Sequence, residues 1–320
     1  MRKITLREAI NEALAEEMER DSKVFIMGED IATGGAYAAV TNGLPEKVGK
    51  DRVINTPISE ACFTGAALGA ALRGYRPILE FMLGDFYTVA ADQIINQIAK
   101  ARYMSGGKVH VPVTLRFPTG GYLSQASQHS QSPETIYIHT PGLKVVYPSG
   151  AYTAKGLLKS AIRDDNPVAF MEPKVLYEVA QEVPKEDYTI PIGKANVVLS
   201  GDDLTIVCYG YQVVQSKKAT ENLSEYSIEI IDLQSLDPLD IDTILSSVSK
   251  TGRLLLVQED YSVCSVSEHI AYEVYSKLSL KSKIEIISSK YSPIPFSLPL
   301  ERYVLPQVED IEEGIKKILG

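Results

Sequence analysis

The chain has 320 residues, a formal net charge of −9 and three cysteines; that length exceeds the usual size of one hydrophobic core and leads us to expect two domains. An acidic chain argues against a nucleic-acid binder, which needs basic patches to replace phosphate counterions, and 45% hydrophobic with 23% charged residues is a globular composition. Cys62, Cys208 and Cys264 are far apart with no zinc spacing, a reduced, cytoplasmic pattern, while the polar start MRKITLREAI and the absence of an apolar run near ~18 residues predict neither signal peptide nor membrane span.

Thr5-Leu6-Arg7-Glu8 reads as a capping box, and Leu6, Ile10, Ala13, Leu14 and Met18 follow at helical spacing. Apolar runs at Val24 to Met27, Pro77 to Met82, Val111 to Phe117, Leu143 to Tyr147 and Val168 to Met171 read as buried strands, with helices near 58–73, 88–102 and 151–163 between them. Such alternation predicts a parallel sheet covered on both faces. Pro173 to Ser200 breaks the rhythm and is expected to connect two domains, 1–185 and 200–320. Strands at Leu204 to Tyr209, Ile228 to Leu233, Arg253 to Gln258 and Ile284 to Ser288, and a helix near 308–319, then predict a second, smaller α/β domain. Gly201-Asp202-Asp203 before the first of these strands is a turn, since a phosphate cradle wants backbone donors without negative charge.

Thr56-Pro57 looks like a helix start, with threonine as cap and proline at the first helical position. Glu60 then falls in the first turn, where a carboxylate can simply complement the helix dipole. The small residues from Ala61 to Ala71 behind it favour close backbone approach and burial of that acid at an interface. Phe86 follows the strand ending at Met82 and reads either as core packing or as a flat apolar face for a ring. His129 lies in the polar stretch Thr119 to Glu134, a loop long enough to be functional, whereas His110, His139 and His269 read as solvated.

NTPISE (55–60), QHSQSPE (128–134), the Asp-Phe-Tyr step at 85–87 and YMSGG (103–107) together resemble the β subunit of the thiamine-diphosphate-dependent 2-oxo acid dehydrogenases. The resemblance covers nearly the whole chain and is densest from Gly28 to Tyr177. It implies two doubly wound domains, one binding the pyrimidine half of thiamine diphosphate, and one of transketolase C-terminal type for subunit contacts. It assigns Glu60 and His129 as catalytic, and Glu60, Phe86 and Glu29 to the cofactor: Glu60 would exchange a proton with the aminopyrimidine, Phe86 would stack on it, and His129 would serve acyl transfer. AIRDDNP (161–167) resembles a potassium site, with Val113, Ala161, Ile162, Asp164 and Asn166 as the oxygen set.

The Gly-Asp-Gly sequence by which such enzymes hold diphosphate and magnesium does not occur in the chain. The resemblance therefore implies an α subunit supplying that half, in an α2β2 heterotetramer that oxidatively decarboxylates a 2-oxo acid and passes the acyl group to a lipoyl-bearing acyltransferase. HSQSPE and MEPKVLY resemble branched-chain members, TPISE and EFM pyruvate ones, with a slight lean to branched-chain or broad specificity. Alternatives are the C-terminal half of a split transketolase or deoxyxylulose-phosphate synthase, and a non-catalytic assembly subunit.

Overall fold

The computed structural model describes residues 1–34 and 37–320. The chain forms two compact units, one of Met1–Thr119 with Ile136–Ile192, the other of Gly120–Thr135 with Gly193–Gly320.

The first unit carries β1 (Arg2–Thr5), β2 (Val24–Gly28), β3 (Val53–Asn55), β4 (Arg76–Glu80), β5 (Thr114–Thr119), β6 (Lys144–Val146), β7 (Val168–Pro173) and β8 (Ala180–Val183). Six of them pair in parallel in the order β6–β7–β5–β4–β2–β3. Every residue of β5 and β7 is buried, as expected for apolar strands covered on both faces. Thr5 caps the helix Leu6–Arg20, receiving the Glu8 amide while Glu8 receives its own. Leu6, Ile10, Ala13, Leu14 and Met18 are fully buried on that helix. The segment after Pro173 is less irregular than its sequence suggests, because β8 pairs antiparallel with β1. Both strands are four residues long and mostly half-exposed, too short for a period-2 signal.

Two helix predictions are corrected. The helix expected from Thr56 begins at Glu60, with Ser59 as its N-cap. Thr56 does not cap it: its hydroxyl is buried with no hydrogen-bond partner, while its amide donates to the Gly28 carbonyl at 2.9 Å and so ties the residue to the end of β2, four positions before the helix. The helix expected over 88–102 is three joined pieces: a 3₁₀ stretch Gly84–Ala90, a π-helical stretch Asp92–Ile98 and an α-helical end Ala99–Met104. Gly84 opens it because a Cβ there would sit 2.5 Å from Thr119 Cγ2.

At the carboxyl end of this sheet, Gly28, Glu80 and Arg116 lie in one row across β2, β4 and β5. A Cβ on Gly28 would meet the Glu80 carbonyl at 2.5 Å, so the two strands close only over glycine. Arg116 is fully buried and donates to Glu172 twice, at 2.7 and 3.0 Å, and to Glu80. Tyr177 donates to the same Glu172 carboxylate at 2.6 Å. One guanidinium cannot neutralise two buried carboxylates, and Glu80 Oε1 has no hydrogen-bond partner. Burial pushes the Glu80 pKa up to about 7, although Arg116 opposes it.

A folded pKa above the unfolded one means the native state holds the proton more tightly, so this stabilisation is full in acid and fades as pH rises through about 7. Glu80→Gln is expected to flatten the fall in thermal stability between pH 5 and 8, an effect on the order of 2–3 kcal/mol. A variant whose Tm declines as steeply as the parent's over that range would assign the slope elsewhere.

The second unit holds β9 (Asn196–Leu199), β10 (Leu204–Cys208), β11 (Ile228–Asp232), β12 (Ser235–Asp237), β13 (Leu254–Tyr261) and β14 (Glu285–Ser289). Five form a sheet in the order β14–β13–β10–β11–β9, parallel except for β9. Leu204, Ile206, Ile230, Leu255, Ile311 and Ile315 form the centre of its core, the last two from the helix Val308–Leu319. Gly201 to Asp203 is the expected turn, both aspartate amides donating to the Ser227 carbonyl at 2.9 and 2.7 Å. Among the described residues no helix is long and apolar enough to cross a membrane.

Candidate active site

In an open parallel sheet, ligands bind beyond the carboxyl ends of the strands, at the point where successive connections leave in opposite directions. Here that point lies beside β2, which has β3 on one side and β4 on the other. Three sequence-predicted residues follow these strand ends. Glu29 comes directly after β2, Glu60 opens the helix after β3, and Phe86 lies in the 3₁₀ stretch after β4.

Glu29 and Glu60 are both buried, and the structure brings them together closely enough for their charges to interact. Burial, then the Glu60 charge, then Asp30 push the Glu29 pKa up, against a hydrogen bond from the Ser59 amide. Glu29 thus receives a donor just before the helix and keeps its proton to higher pH than an exposed glutamate. Its Oε1 is buried without a hydrogen-bond partner. Glu60 sits at the first helical position, at the positive end of the helix dipole. Two adjacent carboxyl groups with unspent acceptor capacity can hold and exchange a proton with a ring nitrogen. The turn after Glu29 is braced by Asn55 at the end of β3, whose Oδ1 receives the Ala32 amide at 2.7 Å.

Phe86 is half-buried, and its amide donates to the Leu83 carbonyl at 3.1 Å. Beside its helix, Phe63 packs on Phe81 at 5.3 Å, Phe81 on Phe117 at 4.5 Å and Phe117 on Tyr137 at 4.9 Å between centroids. A half-exposed face suits Phe86 to a ring ligand better than a fully packed one would.

His129 lies in the second unit, on the segment Gly120–Thr135 that the sequence assigned to the first domain. It is half-buried, with its amide on the Ala126 carbonyl at 3.2 Å. The end of that segment is held by two acids that sequence reasoning missed. Glu134 is fully buried and takes the Tyr209 hydroxyl at 2.9 Å, while Asp260 takes Thr135 Oγ1. Burial, then Asp260, drive the Glu134 pKa well above the usual carboxylate range, and burial pushes Asp260 up to about 6. The Gln-Glu-Asp run at 258–260, ending an apolar strand, was the available signal. His139 and His269 are exposed, and so is His110, 3.7 Å from Asp165.

Four of the five groups expected to offer oxygens to potassium, Val113, Ala161, Ile162 and Asp164, accept hydrogen bonds from the protein's own donors. Asp164 receives Lys144 on one carboxylate oxygen and the Asn166 amide and side chain on the other, at 2.8 and 2.9 Å. Burial disfavours the Asp164 anion, but Lys144 and then Asn166 outweigh it and hold the carboxyl below its usual range. Arg76 Nε donates to the Ile162 carbonyl at 3.1 Å, while the Val113 and Ala161 carbonyls accept backbone amides. Among the described residues no group of three His, Cys, Asp or Glu could hold a metal. Here the Asp164 carboxylate is paired with an ammonium and the Ile162 carbonyl with a guanidinium, and no step is routed through a potassium ion.

Comparison with known proteins matches residues 2–179 to the transketolase pyrimidine-binding domain and residues 193–311 to the transketolase C-terminal domain. The chain is 46% identical over 320 residues to the pyruvate dehydrogenase E1 component subunit beta of Rickettsia felis, covering 98% of each. It is 44% identical to the acetoin:2,6-dichlorophenolindophenol oxidoreductase subunit beta of Cupriavidus necator, covering 99% of this chain and 98% of that one. Among solved structures, a split-gene transketolase described as an inactive beta4 tetramer superposes with a TM-score of 0.81 at 20% identity, over 99% of this chain and 98% of that one, a likeness of fold alone. With its strand-end acids in a matched pyrimidine-binding domain and full-length relatives of this kind, the chain belongs to the transketolase-like family of 2-oxo acid dehydrogenase E1 β subunits.

Proposed function

We propose that this chain is the β subunit of a 2-oxo acid dehydrogenase decarboxylase component, joined to an α subunit in an α2β2 heterotetramer. It decarboxylates a 2-oxo acid and passes the acyl group to the lipoyl group of an acyltransferase. The observation that carries the reading is the Glu29–Glu60 pair at the switch point of the pyrimidine-binding sheet, with a buried acceptor unspent. When bound, thiamine diphosphate supplies the nucleophilic carbon that holds the substrate carbonyl and takes up the electrons released by decarboxylation. Glu60 orients the aminopyrimidine and moves a proton at its ring nitrogen, Phe86 gives that ring an apolar face, and His129 holds or delivers a proton during acyl transfer. The α subunit supplies the diphosphate and magnesium ligands that this chain lacks.

A second reading concerns the substrate. At 44% identity to an acetoin oxidoreductase β subunit, nearly the figure for the pyruvate enzyme, the chain also suits a 2-hydroxy ketone cleaved in place of an acid decarboxylated. One experiment tests both. The chain co-produced with its α subunit is given pyruvate, branched-chain 2-oxo acids and acetoin, with 2,6-dichlorophenolindophenol or lipoamide as acceptor. Turnover of a 2-oxo acid with lipoamide supports the proposal; turnover of acetoin alone replaces it with the second reading. The isolated chain is expected to bind thiamine diphosphate and magnesium no tighter than millimolar and to turn over none of the panel. Micromolar, magnesium-dependent binding without a partner would overturn the division of the cofactor between subunits.

A further inference from the structure

The segment bearing His129 has an unusual backbone. Positive φ recurs at every second residue: 89° at Gly120, 68° at Tyr122, 53° at Ser124 and 65° at Ala126. Each non-glycine residue in that region costs about 1–2 kcal/mol, so something must hold the run in place. Alternation of this kind leaves backbone N–H groups pointing into a concavity, the arrangement that receives anions. Two buried carboxylates fill it. Glu259 receives the Gly121 amide at 2.6 Å. Glu301, fully buried, receives the Ser124 amide at 3.1 and 3.0 Å on its two oxygens and the Ser124 hydroxyl at 3.3 Å.

Glu301 has no ion-pair partner among the described residues, so these loop dipoles are what its charge has. The rest of the seat comes from residues near it. Tyr122 donates to the Pro306 carbonyl at 2.8 Å while Gln212 and Gln215 donate to its hydroxyl, and Ser127 donates to the Ile294 carbonyl at 2.9 Å. The approach is tight. A Cβ on Gly120 would meet the Glu259 carboxylate at 2.7 Å, and one on Gly121 would meet Leu305 Cδ1 at 2.5 Å.

We infer that Glu301 is a positioning residue: through its hydrogen bonds to Ser124 it fixes the loop that carries His129 in the conformation used for acyl transfer. The inference rests on the role proposed for His129, so its test has one arm that needs no such role. In the assembled enzyme, Glu301→Gln turns one acceptor into a donor facing the Ser124 amide. Hydrogen exchange at residues 120–128 is expected to rise about tenfold, the effect of losing one charge-assisted bond, with the core strand Leu204–Cys208 unchanged. Lipoyl transfer is expected to fall at least tenfold more than 2,6-dichlorophenolindophenol reduction, and Glu301→Asp to restore part of both.

Should Glu301→Gln fail to fold, Ser124→Ala removes one donor and leaves the buried carboxylate in place, and the same two changes are expected at smaller size. Unchanged exchange at 120–128 in a folded variant overturns the inference. Raised exchange with equal losses in both reactions overturns its functional half; if His129→Ala also gives equal losses, the fault lies in the role given to His129, and the exchange result stands for the seat alone.

Discussion

Glu60→Gln is expected to lower turnover of the assembled enzyme by roughly 10²-fold or more while leaving assembly and Tm within experimental error. The amide keeps the size of the side chain and can still occupy the first helical position, but it cannot exchange a proton with a ring nitrogen. Stability should change little because the side chain makes no hydrogen bond or ion pair to the described residues, and its charge acts unfavourably on another buried acid, Glu29. Removing that neighbour's charge relieves Glu29, so the Glu29 pKa should drop towards the ordinary range, which carbon-detected NMR of the carboxyl can follow. Proton exchange at the cofactor's thiazolium carbon, measured in deuterated buffer, should slow in parallel with turnover. Unchanged exchange with full turnover would leave Glu60 only its complement to the helix dipole.

What could be read from the sequence depended on how local the cause was. The Thr5–Glu8 box and the spacing of Leu6, Ile10 and Met18 are causes within one helix, and the helix formed as read. The parallel strands declared themselves because burial on both faces makes most of each run apolar, Arg116 and Glu172 excepted. Thr56 misled because its chemistry suits a cap, whereas its amide ties it to Gly28, a partner 28 residues away that no local pattern reveals, and the helix starts only at Glu60. Glu29 had no reading from the residues alone; only the fold sets it beside Glu60. The potassium set was legible as oxygens, but not the Lys144 and Arg76 that reach them from other strands. Furthest from reach was the seat of the His129 loop. Ser124 and Glu301 are 177 residues apart, and a polar stretch between two strands of one unit gives no sign that it folds with the other.

His129→Ala is expected to damage the two half-reactions unequally. Separate steps are proposed for the histidine and Glu60. Decarboxylation read with 2,6-dichlorophenolindophenol needs a proton moved at the aminopyrimidine, the work assigned to Glu60, and should fall less than tenfold. Transfer to a lipoyl group needs a proton delivered near a dithiolane sulfur as its S–S bond opens, and should fall by roughly 10²-fold or more, the usual worth of a positioned general acid. His129→Asn keeps a donor without the ability to titrate, so it separates holding a proton from delivering one. Retention of transfer in that variant would make the ring a hydrogen-bond donor only. The seat beneath the loop gives a control: the Ser124–Glu301 bonds lie five residues from His129 in the chain and use none of its ring atoms, so hydrogen exchange at residues 120–126 should match the parent's. Equal losses in the two assays with that exchange intact would falsify the division of labour and leave His129 a general organiser of the pocket.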